Sequence, residues 1–426
     1  MSGPIPERRE ILFLQGPPGS FFRDLAEALR ARGHGVHRIN FNGGDLLDWR
    51  GEGVNYAGGD AGWPVFLTRL VRARGITDLV LFGDCRPLHR NARAAACGLG
   101  LTVHVFEEGY VRPDWVTLER GGVNGFSDLP VDPQWYRDAT RSLGPVPERP
   151  RLPSAIGLRA RASVLYNLAA VLTGAMFPRY RTHRPWHPAV EAVGWMRRTL
   201  RRRLAAPDGL GRAAPEGEAY FLLPLQLDSD YQLRAHSDYG GMQPALVRIL
   251  TSFARHAPPA ARLVVKEHPL DNGLRDWRRR TLDCAGALNI AHRVVFLEDG
   301  DIDGLVAGAQ GVVTVNSTTG TLALAAGVPV ITLGRAVYDI AGLTHQGSLD
   351  TFWRAREQPD PSLFEAFRRV LADRCLLWGG FYAMEARSDL ALAAADRILD
   401  ADRKGAVELG GEVPEPFVAP SMIAAE

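Results

Sequence analysis

Cysteine is scarce in this 426-residue chain, and its four copies are scattered without a Cys-x-x-Cys pair. They are Cys85, Cys97, Cys284 and Cys375. This pattern argues against a disulfide framework or a structural zinc site and favours a reducing compartment. No uninterrupted apolar run reaches the roughly 18 residues of a membrane-spanning helix, and the first residues lack the apolar core of a signal peptide. We therefore expect a cytoplasmic protein, with any membrane contact being peripheral.

Excess charge and the common cofactor motifs are also missing. The formal net charge is only +2, so no global field attracts nucleic acid or a membrane. The glycine-rich turn Leu14-Gln-Gly-Pro-Pro-Gly-Ser20 lacks the Gly-Lys-Ser/Thr of a P-loop and the spacing of a dinucleotide fingerprint. Apart from the pair Asp228 and Asp230, no carboxylate or histidine array has the spacing of a metal site. We expect neither a nucleotide-hydrolysing P-loop nor a required metal or cofactor.

Alternating strands and helices dominate the two halves of the chain. With 46% hydrophobic residues, a chain of this length forms about two domains. Strands are predicted from 11–14 to 101–106, and a second series runs from 219–225 to 329–333. This rhythm predicts an α/β fold of GT-B type, with two Rossmann-like domains facing a central cleft. The predicted domains are 1–205 and 215–400, followed by a tail at 401–426.

The segment from about 149 to 203, in the first predicted domain, has a strong excess of positive charge. It carries twelve arginines against one acidic residue, Glu191. The arginines are Arg149, Arg151, Arg159, Arg161, Arg179, Arg181, Arg184, Arg197, Arg198, Arg201, Arg202 and Arg203. Apolar residues between them suit a surface that binds an anionic leaflet. The alternatives are a solvated connecting segment with structural ion pairs and a nucleic-acid groove, for which no binding motif is present.

A hydroxyl-rich turn follows a predicted buried strand in Gly311-Val-Val-Thr-Val-Asn-Ser-Thr-Thr-Gly320. Four polar residues then precede a helix predicted at 321–326. They are Asn316, Ser317, Thr318 and Thr319. Helix starts with such side chains bind phosphate, which favours a phosphorylated ligand. The same residues cap ordinary helices, so a capped crossover helix is the alternative.

The strand predicted at 219–225 leads into Gln226, Asp228 and Asp230. Polar groups beyond a parallel strand lie where ligands of such sheets bind. A carboxylate here can act as a covalent nucleophile toward an anomeric carbon. Helix capping is the alternative, and we expect it for one of the two aspartates rather than for both.

The strand predicted at 262–266 ends in Lys266-Glu-His-Pro269. Pro269 restricts the backbone of the residue before it, which fixes the direction of the His268 imidazole. The imidazole can then donate a hydrogen bond to a phosphate or a ribose, and Lys266 can add positive charge. For this motif taken alone, a structural histidine in a turn is the alternative.

In the first half, the strand predicted at 101–106 ends in Glu107 and Glu108. Either carboxylate is a candidate general acid or base, because ligands of open parallel sheets bind outside such strand ends. A solvated loop or an ion pair with Arg112 is the alternative.

A second polar turn follows the strand predicted at 78–82. It contains Asp84, Arg86 and His89, residue types that suit recognition of a carboxylate or a hydroxyl-rich ligand. An ion pair between Asp84 and Arg86 that orders the loop is the alternative.

Short motifs spread over most of the chain resemble those of bacterial capsule polysaccharide biosynthesis and export proteins of the KpsS/LipB type, a β-Kdo transferase family. They are Phe13-Leu-Gln-Gly-Pro-Pro-Gly-Ser-Phe-Phe22, Asn40-Phe-Asn-Gly-Gly-Asp45, Gly83-Asp-Cys-Arg-Pro87, Glu107-Glu-Gly-Tyr-Val-Arg-Pro113, Gln226-Leu-Asp-Ser-Asp230, Glu267-His-Pro269, Asn316-Ser-Thr-Thr-Gly320, Gly334-Arg-Ala-Val-Tyr338 and Gly342-Leu-Thr344. The Glu-Glu-Gly, His-Pro and Ser/Thr elements are also similar to the motif set of bacterial sialyltransferases. Both groups use a CMP-activated keto-sugar acid.

The resemblance implies a role for each of these residues. The candidate catalytic residues are Asp230 as nucleophile with Asp228 as second choice, and Glu107 or Glu108 as acid/base. By the resemblance, His268, Ser317 and Thr318 bind CMP. Further candidates for donor binding are Gln226, Lys266, Pro269, Asn316 and Thr319. The candidate contacts to the donor or acceptor sugar are Asp84, Arg86, His89, Arg112 and Arg335.

The resemblance further implies a retaining transferase that moves Kdo from CMP-Kdo to a phosphatidylglycerol or lysophosphatidylglycerol acceptor, without a metal. The expected partners are this donor and lipid, an anionic inner-membrane leaflet and other capsule assembly proteins, but not nucleic acid. The alternatives are a transferase for another CMP-sugar, such as a sialic acid, and a non-catalytic export subunit that binds a finished glycolipid.

Overall fold

The computed structural model describes residues 8–182, 184–204 and 217–400. Contacts divide these residues into two compact units. The first unit consists of the described residues of Met1–Asp128, Pro145–His183 and Leu371–Gly410. The second consists of those of Leu129–Gly144 and Arg184–Val370. The predicted tail and the predicted boundary between 205 and 215 lie outside the described residues.

The first unit contains a seven-stranded sheet in the order β12-β6-β5-β4-β1-β2-β3. Its strands are β1 (Glu10–Phe13), β2 (Gly35–Asn40), β3 (Val54–Asn55), β4 (Asp78–Phe82), β5 (Thr102–Glu108), β6 (Trp115–Arg120) and β12 (Leu376–Trp378). Strands β1 to β5 are parallel, while β6 is antiparallel to β5 and β12 to β6. Its helices are α1 (Phe21–Ala31), α2 (Gly43–Trp49), α3 (Trp63–Arg74), α4 (Pro87–Gly98), α6 (Ile156–Leu172) and α15 (Met384–Leu399).

The second unit contains a five-stranded, wholly parallel sheet in the order β11-β10-β7-β8-β9. Its strands are β7 (Tyr220–Pro224), β8 (Arg262–Lys266), β9 (Val294–Leu297), β10 (Gly311–Thr314) and β11 (Val330–Thr332). Its helices are α5 (Pro133–Ala139), α7 (Pro188–Leu204), α8 (Tyr231–Ala235), α9 (Met242–His256), α10 (Trp277–Ala287), α11 (Ile302–Ala307), α12 (Thr319–Ala325), α13 (Leu349–Phe352) and α14 (Pro361–Arg374), whose C-terminal end belongs to the first unit. The predicted α/β class with two Rossmann-like units is therefore confirmed.

Apolar side chains on both faces of the central strands explain this architecture. Strands β7 and β10 are buried at every position, as expected for parallel strands covered by helices on both sides. In the first unit, aromatic rings from β1, α1 and β5 pack edge to face, with 5.3 Å between the ring centroids of Phe13 and Phe22 and 5.5 Å between those of Phe22 and Phe106. Each unit thus has its own core.

The compact units differ from the predicted domains at the C-terminal end. Strand β12 pairs with β6, with Leu376 opposite Thr117. Helix α15 packs its Leu390 and Ile398 into the core of the first unit. Strand β12 therefore completes the first sheet, and α15 contributes to the core of the first unit. Both elements follow the second unit in sequence. The predicted basic segment is also divided, because its residues up to 183 belong to the first unit and those from 184 to the second.

No helix in the described ranges combines the length and the hydropathy needed to cross a bilayer.

We expect one carboxyl group of the first unit, that of Glu119, to make the stability of the protein sensitive to pH. Glu119 on β6 accepts hydrogen bonds from Tyr110 and Ser127, and burial raises its pKa to about 7. The folded state then keeps a proton that the unfolded chain loses at lower pH, so the stabilisation is fully present below pH 4.5 and is lost as the pH rises through 7.

We expect Glu119→Gln to remove part of this dependence, because glutamine keeps the shape of the side chain but does not titrate. Between pH 5 and pH 8, the free energy of unfolding of the variant should fall by about 2.5 kcal/mol less than that of the wild type. Urea unfolding across this range measures the difference. Parallel curves for the two proteins would contradict the prediction.

Candidate functional site

Three neighbouring strands of the second sheet bring the predicted nucleotide-binding residues to one edge. Strands β10, β7 and β8 are adjacent and parallel, with Pro224 of β7 opposite Lys266 of β8. The Gln226 side-chain amide donates to Asn316 Oδ1 over 2.8 Å, and the Asn316 backbone amide donates to Gln226 Oε1 over 3.1 Å. The turns after β7 and β10 are therefore joined by a pair of hydrogen bonds, which brings two of the predicted residues together.

The hydroxyl-rich turn caps the following helix. Helix α12 begins at Thr319, two residues before the predicted start, because Ser317 Oγ accepts a hydrogen bond from the Thr319 amide over 3.2 Å. The Ser317 amide donates to Thr314 Oγ1 over 3.0 Å, and the buried Tyr338 hydroxyl donates to the Ser317 carbonyl over 2.5 Å. The N-cap residue itself, Thr318, makes no side-chain capping bond to the described residues, so the side-chain contribution observed at this helix start is the bond that Ser317 Oγ accepts.

His268 has a defined orientation in the turn after β8. Its Nδ1 accepts a hydrogen bond from the Leu270 amide over 3.0 Å, so the proton of the neutral ring lies on Nε2. A half-buried imidazole with an Nε2 proton is suited to donate to an anionic oxygen. Lys266 is buried, and its ammonium group donates to the Glu267 carbonyl over 3.0 Å. Burial lowers the pKa of Lys266.

Both aspartates after β7 cap helices, whereas the sequence favoured capping for only one. Asp228 accepts from the Met242 amide at the start of α9 over 2.8 Å, and its other oxygen lies 2.6 Å from the Arg275 guanidinium. Asp230 accepts from the Gln232 amide over 2.9 Å through Oδ1, at the start of α8. Both Asp228 oxygens are therefore engaged, and the Asp230 carboxylate also accepts a bond at a helix start.

A buried arginine from the basic segment holds the His268 turn. The Arg198 guanidinium, on α7, contacts Glu267 over 2.8 Å and donates to the carbonyls of Asp271 and His268. Burial raises the pKa of Glu267 to about 7, while Arg198 opposes that rise. Arg201 similarly forms an ion pair with Glu298 over 2.8 Å. In the second unit, part of the basic segment therefore makes the structural ion pairs that the sequence left as an alternative.

Binding of CMP, the nucleotide that the resemblance predicts for this site, should be about tenfold weaker in Arg198→Lys, because a lysine cannot bridge three acceptors and the His268 turn would loosen. Arg197 is the neighbouring exposed arginine on the same helix, and Arg197→Lys is the matched control. Isothermal titration of both variants with CMP measures the effect. Equal dissociation constants for the two variants would show that Arg198 has no role at this site.

In the first unit, Glu107 and Glu108 are the last residues of β5 rather than part of a loop. A Cβ atom built on Gly83, after β4, would lie 3.4 Å from Glu107 Oε2, so the ends of β4 and β5 converge. Glu108 forms an ion pair with Arg159 of α6, with 3.0 Å between Oε1 and Nη1. Arg112, the partner in the alternative interpretation, is exposed. The observed partner of Glu108 is thus an arginine of the basic segment.

Sequence reasoning missed Tyr382 and Asp48, which lie near this carboxylate pair. Burial raises the pKa of the Tyr382 hydroxyl, and the charges of Glu108 and Asp48 add to the rise. Asp48 accepts from the Gly19 amide over 2.7 Å, and burial raises its pKa to about 7. The only sequence feature that pointed to Asp48 was the glycine-rich turn that contains its hydrogen-bond partner Gly19. No local sequence pattern pointed to Tyr382, because it lies near the other end of the chain.

The turn after β4 is held by buried side chains. Asp84 is fully buried and accepts from the Val123 amide over 3.0 Å. His89 is also fully buried and donates through Nδ1 to the Gly83 carbonyl over 2.7 Å. Burial raises the pKa of Asp84 and lowers that of His89 to about 3. Through these hydrogen bonds, Asp84 and His89 stabilise the turn after β4.

Of the three arginines predicted to contact sugars, Arg86 and Arg112 lie in the first unit and Arg335 lies in the second. Arg86 is half-buried and stacks over the Phe82 ring at 5.1 Å from its centroid. The alternative interpretation, an ion pair between Asp84 and Arg86, is not observed in the described part of the chain, where Asp84 instead accepts from the Val123 amide. Arg335 follows β11, where its backbone amide donates to the His236 carbonyl over 2.8 Å.

Comparison with known proteins places this chain among capsule-related sequences. The family model described as "Capsule polysaccharide biosynthesis protein" matches residues 77–382. The capsule polysaccharide export protein KpsS of Escherichia coli is 37% identical over 368 residues, which are 85% of this chain and 94% of the relative. The capsule polysaccharide modification protein LipB of Neisseria meningitidis serogroup B is 33% identical over 384 residues, with 88% and 91% covered.

Among solved structures, the chain is similar to the β-Kdo 2,7 transferase of Thermosulfurimonas dismutans KpsC. The match has 18% sequence identity and a TM-score of 0.42, and it covers 91% of this chain and 100% of the other chain.

Proposed function

This chain belongs to the capsule polysaccharide biosynthesis protein family, and on that premise we propose that it is a retaining β-Kdo glycosyltransferase. In this proposal it transfers Kdo from CMP-Kdo to a phosphatidylglycerol or lysophosphatidylglycerol acceptor, which begins the lipid anchor of a capsular polysaccharide. The relatives named for capsule export and modification support a role in this process. One observation carries the proposal. The strands β10, β7 and β8 are neighbours in the second sheet, and the polar residues that follow them lie at the same edge of that sheet.

The donor nucleotide is proposed to bind at that edge. The donors proposed for the phosphate are the Nε2 proton of His268 and the hydroxyl groups of Ser317 and Thr318. Such groups stabilise the charge that develops on a leaving phosphate without a metal ion. The pair Gln226 and Asn316 joins the turns after β7 and β10, which supports a fixed position for the turn that carries Ser317 and Thr318.

The proposed chemistry proceeds in two displacements. The Asp230 carboxylate attacks the anomeric carbon of Kdo and forms an ester-like glycosyl bond as CMP leaves with the electrons of the broken bond. Glu108, or Glu107, then takes the proton of the lipid hydroxyl as its oxygen attacks the same carbon and releases Asp230. Two inversions give net retention. The remaining exposed arginines of the basic segment are proposed to attract the anionic inner-membrane leaflet.

The direct experiment incubates the purified full-length chain with CMP-Kdo and phosphatidylglycerol vesicles. We expect CMP release together with a glycolipid whose mass equals that of the acceptor plus one Kdo. Competition with a CMP-activated sialic acid identifies the donor, and preferential use of that sugar would make the chain a different CMP-sugar transferase. Tight binding of a finished glycolipid without CMP release would instead indicate a non-catalytic export subunit and contradict the proposal.

A further inference from the structure

The outward side of α6 is apolar. Val164, Leu165, Leu168, Val171 and Leu172 are 64%, 44%, 52%, 48% and 74% exposed. Their spacing of i, i+1, i+4, i+7 and i+8 places them on one face of the helix. Soluble monomers seldom leave such a continuous apolar surface in water, and where they do it marks an interaction site. These five residues are called the α6 stripe below.

The opposite side of α6 is fixed against α2, so the helix cannot rotate to bury the stripe. The Tyr166 hydroxyl donates to Asp45 over 3.0 Å and accepts from Asn42 over 2.9 Å. A Cβ atom built on Gly44 would lie 2.5 Å from the Tyr166 ring, which shows that the two helices approach closely. The stripe is therefore a permanent feature of the surface of the first unit.

The charge around the stripe identifies its partner. No aspartate or glutamate occurs between residues 149 and 190, whereas arginines lie near both ends of α6. They are Arg149, Arg151, Arg159 and Arg161 on one side, and Arg179 and Arg181 on the other. An apolar helix face flanked by positive charge of this kind complements an anionic bilayer, in which such a helix lies parallel to the surface with its apolar side among the acyl chains.

The same helix also carries the ion-pair partner of a candidate catalytic residue. Arg159 lies on the first turn of α6, 3.0 Å from Glu108. Its guanidinium also lies 5.8 Å from the centroid of the Tyr382 ring. The helix that presents the stripe is thus in direct contact with the carboxylate site of the first unit.

We propose that α6 is a lipid-contacting helix that joins the bilayer to this site: the α6 stripe enters the interface of an anionic bilayer, and Arg159 on the same helix positions Glu108. The positioning role rests on the proposed function, because it concerns the acid/base of that reaction. Bilayer contact by the stripe does not depend on the reaction. Arg159 is a positioning residue and not a catalytic one.

Vesicle sedimentation tests the bilayer contact without any sugar transfer. The stripe variant combines Leu165→Gln, Leu168→Gln and Leu172→Gln, and its control combines Val65→Gln, Val247→Gln and Leu392→Gln, which are exposed apolar residues elsewhere. We expect the wild type and the control to bind vesicles containing phosphatidylglycerol at least about tenfold more tightly than phosphatidylcholine vesicles. The stripe variant should lose most of this binding while keeping its melting temperature.

Unchanged vesicle binding by the stripe variant would overturn the proposal. If sedimentation velocity also showed that this variant alone had lost a dimer, the stripe would be a contact between two copies of the chain.

Turnover with acceptor dispersed in detergent tests the positioning role. We expect Arg159→Ala to lower kcat by about tenfold, without a change in the KM for the donor, and Arg159→Lys to recover much of the loss. Arg161→Ala, an exposed neighbour on the same helix, is the control. Equal kcat values for the two alanine variants would overturn the role of Arg159. A wild type that binds vesicles but turns over no donor would overturn the proposed function and this role, and would leave the bilayer contact standing.

Discussion

Replacing Asp230 by asparagine is expected to lower kcat by at least about a thousandfold, because an amide cannot form the covalent glycosyl intermediate. The substitution removes the carboxylate nucleophile but keeps the helix-capping role of the side chain. Asparagine caps helices as well as aspartate does, so it preserves the hydrogen bond to the Gln232 amide that Asp230 makes at the start of α8. Melting temperature and CMP affinity should therefore stay close to those of the wild type. Steady-state kinetics with CMP-Kdo, together with titration of CMP, measure both quantities.

The alternative nucleophile is tested in the same way. Asp228→Asn keeps an acceptor for the Met242 amide but removes the charge that pairs with Arg275. We expect a fall in kcat much smaller than that of Asp230→Asn. If Asp228→Asn abolished turnover while Asp230→Asn remained active, the assignment of the nucleophile would be wrong.

Replacing Glu108 by glutamine is expected to lower kcat by about a hundredfold or more, the usual contribution of a general acid/base. Glutamine retains the size of the side chain and one oxygen for Arg159, so donor binding should be unaffected. Glu107→Gln is the matched control, because Glu107 is the adjacent residue and its Oε1 accepts from the Glu108 amide over 3.0 Å. Rapid-quench kinetics with CMP-Kdo and dispersed lipid measure the two variants.

The relative loss of kcat in Glu107→Gln and Glu108→Gln decides which carboxylate is the general acid/base. A larger loss for Glu107→Gln would transfer the acid/base role to Glu107. Loss of donor binding in either variant would indicate that the carboxylate holds the substrate rather than transferring a proton.

The sequence predicted the main strands of both units closely because their signals are local. Strands β4 and β8 have the predicted bounds. Each is a compact apolar run or a regular apolar pattern between turn residues, and such a pattern depends little on the rest of the chain. The three polar strand ends of the second unit followed from the same reasoning, since the ends of adjacent parallel strands share one edge.

The contacts that complete the sites depend on tertiary structure, and no local pattern encodes them. The pair Arg159 and Glu108 joins residues from different elements, and Arg198 reaches Glu267 from another helix. Strand β12 has only three residues and pairs with a distant edge strand, so neither its length nor its composition distinguished it. The sequence predicted a capping role for one of Asp228 and Asp230, and only the positions of the following helices showed that both carboxylates accept bonds from helix-start amides.

A crystal structure of the protein with CMP tests the central claim most directly, which is that the edge formed by β7, β8 and β10 binds a cytidine nucleotide. We predict that the phosphate lies within hydrogen-bonding distance of His268 Nε2 and of the Ser317 or Thr318 hydroxyl group. A CMP molecule bound elsewhere on the chain would contradict the account. So would a crystal grown or soaked at a saturating CMP concentration in which no nucleotide is bound at this edge.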